Sequence, residues 1–253
     1  VACIKHYGIT TGTTATTFSP IDPVPRWQMA LFLTRMVVPA GATLPSGVDQ
    51  GFTDISGKSA EIQTAINQIK QLGVTTGKTA TTFAPDDNVT REEMAMFIQR
   101  MLHVTPTGDG GESDSALTLN VDGDGGTYNY TDIDAGSVTV AGKDAIVELW
   151  NLGVHDGLLA TTYNPGSDMT RAAMATFLTA ALAHTNARPA GLVMQTDKAT
   201  DQGSWTAATS VSHRSSAHVP IVGTPVDIMV WSPTGAEGNN AFGATGTCDD
   251  AVT

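Results

Sequence analysis

Ile62, Ile66, Ile69 and Leu72 recur at helical spacing and stop at Gly73, where a helix C-cap glycine belongs. Val74 to Val89 follows as a polar stretch rich in Thr, Gly and Pro, which predicts a long loop. Thr90-Arg91-Glu92-Glu93 then opens a second helix. Thr90 is a good N-cap and Glu93 stands at the third helical position, the two halves of a capping box. Met94, Phe97, Ile98 and Met101 supply the apolar stripe of that helix. Phe52-Thr53-Asp54-Ile55 leads in, so the unit reads helix, loop, helix.

The same pattern occurs three times. Gly8-Ile9-Thr10-Thr11-Gly12, Gly73-Val74-Thr75-Thr76-Gly77 and Gly153-Val154-His155-Asp156-Gly157 are each followed at fixed spacing by an aromatic (Phe18, Phe83, Tyr163) and a proline (Pro20, Pro85, Pro165). An arginine (Arg26, Arg91, Arg171), a methionine (Met29, Met94, Met174) and a phenylalanine (Phe32, Phe97, Phe177) complete each copy. A shift of 65 residues maps the first copy on the second, and a shift of 80 the second on the third. Repetition in register is therefore the architecture. The third copy carries its own lead-in, Tyr130-Thr131-Asp132-Ile133, and the stripes Ile146, Leu149, Leu152 and Met174, Phe177, Leu178, Leu182. The first keeps only the tail of its leading helix, Val1 to Tyr7; Val1 falls opposite Ile66, and the chain reads as a trimmed or mature product.

These boundaries divide the chain into repeats at 1–38, 52–103 and 130–188, an insertion at 104–129 and a β-rich segment at 189–253. Inside the insertion Leu117, Leu119 and Val121 alternate before a Gly- and Asp-rich turn, which predicts a β-hairpin. After Pro189, short runs split by Gly and Pro predict an incomplete Ig-like β-sandwich, too short for the usual roughly 100 residues and open at its strand edges. The expected fold is mainly α with a smaller all-β part.

Hydrophobic residues make up 41% of the 253, so a packed core is expected. The formal charge is −12 with only 15% charged residues, a poor balance for nucleic acid or anionic membrane. No apolar run approaches the roughly 18 residues of a membrane span. Any anionic ligand has to be held locally by arginines. The low-lysine, Thr-rich surface suits secretion, and Cys3 with Cys248 form either a disulfide or two free thiols.

The combined motif resembles the S-layer homology (SLH) family: the Phe-Thr-Asp-Ile and Tyr-Thr-Asp-Ile lead-ins, the Gly-x-x-x-Gly loops with Phe-x-Pro or Tyr-x-Pro, and the openings Thr90-Arg91 and Thr170-Arg171. The resemblance covers roughly Val1 to His184. It implies three repeats packed as a pseudo-trimer, an extracellular place at the cell surface or wall, and non-covalent binding of cell-wall polysaccharide, often pyruvylated, in grooves between repeats. It also implies that Arg26, Arg91 and Arg171, Asp54 and Asp132, and Gly12, Gly77 and Gly157 line those grooves. The first repeat departs: it lacks its lead-in, opens on Pro25-Arg26, and has Gln28 where the second has Glu93 and the third Ala173.

Each of these residues has a plainer reading. An arginine in the first turn of a helix faces a like partial charge. Three such cations suggest either a carboxylate pocket for an acidic sugar or salt bridges to neighbouring acids. Asp54 and Asp132 are groove acids or caps of a helix or turn. The loop glycines supply left-handed backbone or close approach. Asn120, Asp122 and Asp124 have the 1, 3, 5 oxygen spacing of a calcium loop with Gly125 at its sixth position, but lack the acid at the twelfth; a Gly-rich hairpin turn explains the same letters. The histidines are scattered, and no metalloprotease, thiol, triad or phosphate-loop motif is legible.

The chain is accordingly expected to be non-enzymatic and, calcium apart, free of cofactors. The first reading is a surface-layer or wall-anchoring protein. A second is a structural subunit of an extracellular sheet or filament that pairs with its own copies through the β-segment. A third is the targeting region of a larger secreted enzyme.

Overall fold

A computed structural model describes residues 1–106, 128, 130–134, 136–157, 160–196, 209–226 and 251–252. Six helices dominate: α1 Ala2–His6, α2 Arg26–Val37, α3 Ala60–Gln71, α4 Arg91–Val104, α5 Val140–Asn151 and α6 Arg171–Leu182. No helix among the described residues is long and apolar enough to cross a membrane.

Local chemistry sets the helix ends. Ser59, Thr90, Thr139 and Thr170 each accept a backbone N–H of their own first turn through the hydroxyl. The capping box of Thr90 and Glu93 is complete. The leading helices α1, α3 and α5 all close with a left-handed glycine, at φ 69° (Gly8), 75° (Gly73) and 71° (Gly153). At each, the glycine N–H reaches the carbonyl three residues back (Lys5, Lys70, Trp150) and the next N–H one five back (Ile4, Ile69, Leu149), the pairing of a Schellman cap. Each chain thus leaves its helix in the same direction and enters the same loop.

The three repeats close into a ring. The Val24 N–H donates to the Met169 carbonyl at 2.9 Å, the Met169 N–H to that of Val89 at 2.8 Å, and the Val89 N–H to that of Val24 at 2.9 Å. These three positions are related by the sequence shifts of 65 and 80, so the backbone itself has pseudo-threefold symmetry. The helices obey the same rotation: α2 packs on α3, α4 on α5, and α6 returns to α1. The core lies on the axis side of these pairs. Met29, Met94 and Met174 are fully buried, as are Ile4 and Ile66. Phe32, Phe97 and Phe177 pack beside them. Each such side chain contributes about 1.5–3 kcal/mol by leaving water.

Of the expected β-sandwich, the described residues show two small antiparallel sheets. Among the described residues, β1 Gly191–Thr196 pairs antiparallel with β2 Thr209–Arg214, Gly191 opposite Arg214 and Thr196 opposite Thr209. β3 Pro225–Val226 pairs with β4 Ala251–Val252 as a separate two-stranded sheet. Among the described residues these two short sheets do not form the facing layers of a sandwich. The β-part leans on the helical ring through His218, which stacks on His6 at 4.1 Å and meets Tyr7 edge-on at 5.4 Å. Cys3 is a buried thiol, pushed above its ordinary pKa chiefly by burial. Its expected partner Cys248, the inserted hairpin and the calcium candidates Asn120, Asp122 and Asp124 lie outside the described residues.

Candidate functional site

The seams between successive repeats are built alike. The first helical N–H groups of one repeat, orphaned within their own helix, find carbonyls in the next. Arg26 and Trp27 donate to Asp87 and Pro85, Arg91 and Glu92 to Ser167 and Pro165, and Arg171 and Ala172 to Asp22 and Pro20, all at 2.8–3.0 Å. The arginine side chain then crosses the same seam. Nε donates to a carbonyl of the next loop: Arg26 to Phe83 (2.8 Å), Arg91 to Tyr163 (2.6 Å), Arg171 to Phe18 (2.6 Å). Each guanidinium also lies between two aromatic rings of the next repeat. Arg26 is 4.7 and 5.3 Å from Phe83 and Phe97, Arg91 4.7 and 5.6 Å from Tyr163 and Phe177, and Arg171 4.6 and 5.6 Å from Phe18 and Phe32. The recurring aromatic and phenylalanine of the repeat are thus the slot for a neighbour's arginine.

What the terminal nitrogens meet differs from seam to seam. Arg26 Nη1 reaches Glu93 at 2.9 Å, and Lys78 Nζ meets the same carboxylate oxygen at 2.6 Å. Arg91 is held by both oxygens of Asp156, at 2.7 and 2.9 Å. Arg171 Nη1 points at the neutral Gln28, and its buried Nη2 has no partner. Arg171 and Arg26 are 1% and 2% exposed, so both guanidiniums are interior groups. Burial lowers the pKa of each; at Arg91 it is opposed and outweighed by Asp156.

Asp54 and Asp132 hold the loops. The Asp54 carboxylate accepts the N–H groups of Phe83 (2.9 Å) and Ala84 (2.7 Å), and Asp132 those of Tyr163 and Asn164, both at 2.7 Å. Ala84 and Asn164 are left-handed at φ 56°, a strained conformation that the doubly accepting carboxylate fixes. Gly12 and Gly77 are left-handed too, at φ 86° and 87°. A Cβ on Gly77 would meet two backbone oxygens and the Phe52 ring at 2.5–2.6 Å. Gly157 is outside the left-handed region, and its nearest neighbour, Ala160 Cβ, would stand at 3.2 Å.

A cavity of about 120 Å³ opens beside Arg26, walled by Thr75, Thr76, Gly77, Glu93, Phe97 and Arg100. Lys78 stands at its edge through Glu93, and Arg100 is half-buried. Two cations thus share the Glu93 carboxylate and a third, Arg100, lines the same cavity, in a volume suited to an acid substituent rather than a whole sugar ring. The repeats do not preserve this set. The positions matching Lys78 are Thr13 and Leu158, and those matching Arg100 are Arg35 and Ala180. Arg35 is engaged by Glu61 at 2.8 Å.

Of the residues expected to line grooves, Arg26 and Gly77 border this cavity, while Arg91 and Asp156 close on each other and Arg171 is enclosed between Phe18 and Phe32. Lys78, Arg100 and Asp156 escaped a reading built on the repeat, because none of them is kept in all three copies: Arg100 recurs only as Arg35, and Lys78 and Asp156 do not recur. Their signal was departure: a cation or acid missing from at least one copy.

Comparison with known proteins agrees with this construction. The chain is 32% identical over 165 residues to a protein named "Endoglucanase" of Bacillus sp. (strain KSM-635). The alignment covers 64% of this chain and 15% of that relative, so the chain spans a small part of its length. Lead-in, Schellman glycine, loop and capping box follow one another in the second repeat, and the family match falls on it. Residues 51–95 are an S-layer homology domain, which implies binding of a cell-wall polysaccharide and a place at the cell surface or wall.

Proposed function

We propose that the chain is a non-enzymatic anchoring module that holds an acidic wall polysaccharide at the seam between repeats 1 and 2. The observation that carries this reading is the gathering of Arg26, Lys78 and Arg100 around the cavity floored by Gly77. Arg26 is fixed by the Phe83 carbonyl and ring, so it offers a preorganised charge. Lys78 and Arg100 are more accessible; Lys78 is held by Glu93 and Arg100 by a long 3.4 Å bond to the Val74 carbonyl, which leaves both able to turn to a ligand carboxylate. Gly77, where a Cβ would strike the Thr79 and Thr82 carbonyls, fixes the tight loop that forms one wall.

Co-sedimentation with purified cell-wall sacculi tests the site. Lys78→Ala with Arg100→Ala is expected to abolish binding, while Lys58→Ala, on the same repeat but paired with Asp86, leaves it intact. Undiminished binding by the double variant overturns the groove assignment.

The likeness to a protein named for endoglucanase activity favours one version of this reading, in which the module tethers a larger secreted enzyme. Wall fractions then carry this chain within a polypeptide well above 26.3 kDa. A wall-bound form of that mass or less tells against the tether.

A further inference from the structure

The three seams of the ring serve as controls for one another. Between repeats 1 and 2, Arg26 has Glu93, and Arg35 bridges to Glu61. Between repeats 2 and 3, Arg91 has Asp156, Glu92 accepts the N–H and hydroxyl of Thr139 at 2.9 and 2.6 Å, and Glu148 takes both Gln99 and His103. Between repeats 3 and 1, Arg171 has a neutral amide and a buried nitrogen with no acceptor. Neither of the acids used elsewhere is present: Gln28 stands at the Glu93 position and Thr11 at the Asp156 position. Helix α6 also lacks the arm that α4 extends to the next repeat, since Ala172 replaces the Glu92 that accepts from Thr139. Asp22 lends its charge from nearby, but the Arg171 guanidinium bonds to no carboxylate among the described residues, and a buried cation without a paired acid is a destabilising arrangement.

We propose that the ring opens at the seam between repeats 3 and 1, and that the two faces so exposed re-close on a second copy of this chain. The partner follows from the geometry. Opening presents the Arg171 guanidinium on one face and the Phe18, Phe32 and Gln28 slot on the other, and these faces already fit each other. A second copy offers the same slot and the same arginine, so exchange restores every contact that opening removes. The contact is head-to-tail, and two chains complete it reciprocally.

Hydrogen exchange on the whole chain reads the first half. The amides of Arg171, Ala172 and Val24 cross this seam, those of Arg26, Trp27 and Val89 the first, and those of Arg91, Glu92 and Met169 the second. The first trio is expected to exchange at least about ten-fold faster than the other two at low protein concentration. Sedimentation reads the second half: a dimer forms as concentration rises, and protection of the first trio rises with it. Gln28→Glu supplies the missing acid and is expected to slow that exchange and lower the dimer fraction, whereas Lys58→Ala changes neither. Equal protection of the three trios overturns the opening. Faster exchange of the first trio in a chain that stays monomeric at high concentration, or a dimer indifferent to Gln28→Glu, overturns the exchange between copies.

Discussion

Asp156 closes both carboxylate oxygens on the guanidinium of Arg91, at 2.7 and 2.9 Å, from a loop where the other two repeats carry threonine. Helix α6 has Ala173 where α4 has Glu93. The counter-charge has moved from helix to loop, while the arginine it serves has kept its place.

Removing that acid therefore tests whether the seam is braced by charge. Asp156→Ala leaves a side chain that is 13% exposed without its carboxylate, and is expected to cost about 3 kcal/mol in denaturant unfolding. Ala173→Glu on that background is expected to recover part of the loss, because a glutamate at the equivalent place already reaches Arg26 in the first seam. A double variant no better than Asp156→Ala contradicts the relocation.

The same pair sets an acid limit. Burial pushes the Asp156 carboxyl up, but the hydrogen bonds and charge of Arg91 outweigh it, and the group sits below its ordinary 3.8. A depressed carboxyl stabilises the fold fully above the unfolded value and loses that contribution as pH falls through the folded one. Stability should decline below pH 3.8, and Asp156→Asn should flatten the decline. A second window belongs to His184, which burial, above all, holds below 6.5, with its Nε2 against the Leu152 carbonyl. Here the unfolded chain takes up the proton first, so stability falls as pH drops below 6.5, and His184→Gln should remove that portion. Thermal melts across pH 3 to 8, on the order of ten points, separate the two.

Gly77 and Gly157 occupy matching places with unlike surroundings. Gly77→Ala forces a Cβ into two carbonyl oxygens at a left-handed residue and is expected to cost more than about 2 kcal/mol. Gly157→Ala meets one methyl at 3.2 Å and should cost less than about 1 kcal/mol. Unfolding midpoints of the two variants compare them directly.

Ala84 adopts φ 56° with a Cβ that such backbone disfavours. Ala84→Gly is expected to stabilise the chain by about 0.5–1 kcal/mol, and Asp54→Ala, which leaves the N–H groups of Phe83 and Ala84 without their acceptor, to cost about 1–3 kcal/mol. Calorimetry showing Ala84→Gly neutral or worse would mean that the loop is relaxed as it stands.

Much of this was readable in the chain. The Schellman glycines, the capping box and the apolar stripes are local features, fixed by residues within one or two turns of each other. The order in which repeats meet was not readable, because Arg26 finds Phe83, 57 residues on, and Arg171 finds Phe18, 153 residues back. The arginines recur because each fills a slot in its neighbour. Sequence pattern shows such recurrence without saying whether the charge faces a ligand or an aromatic ring. The β-segment has a related limit: alternation predicts a strand, but a sandwich needs a second layer that alternation does not encode.

The small triangle of hydrogen bonds at Val24, Val89 and Met169 has a bearing on ancestry. Open arrays gain or shed units one at a time, since every unit touches only its flanks. Here each donor of the closed ring already has its acceptor, so a fourth member finds a place only where a seam first parts. Duplication within one closed ring therefore has its natural stop at three.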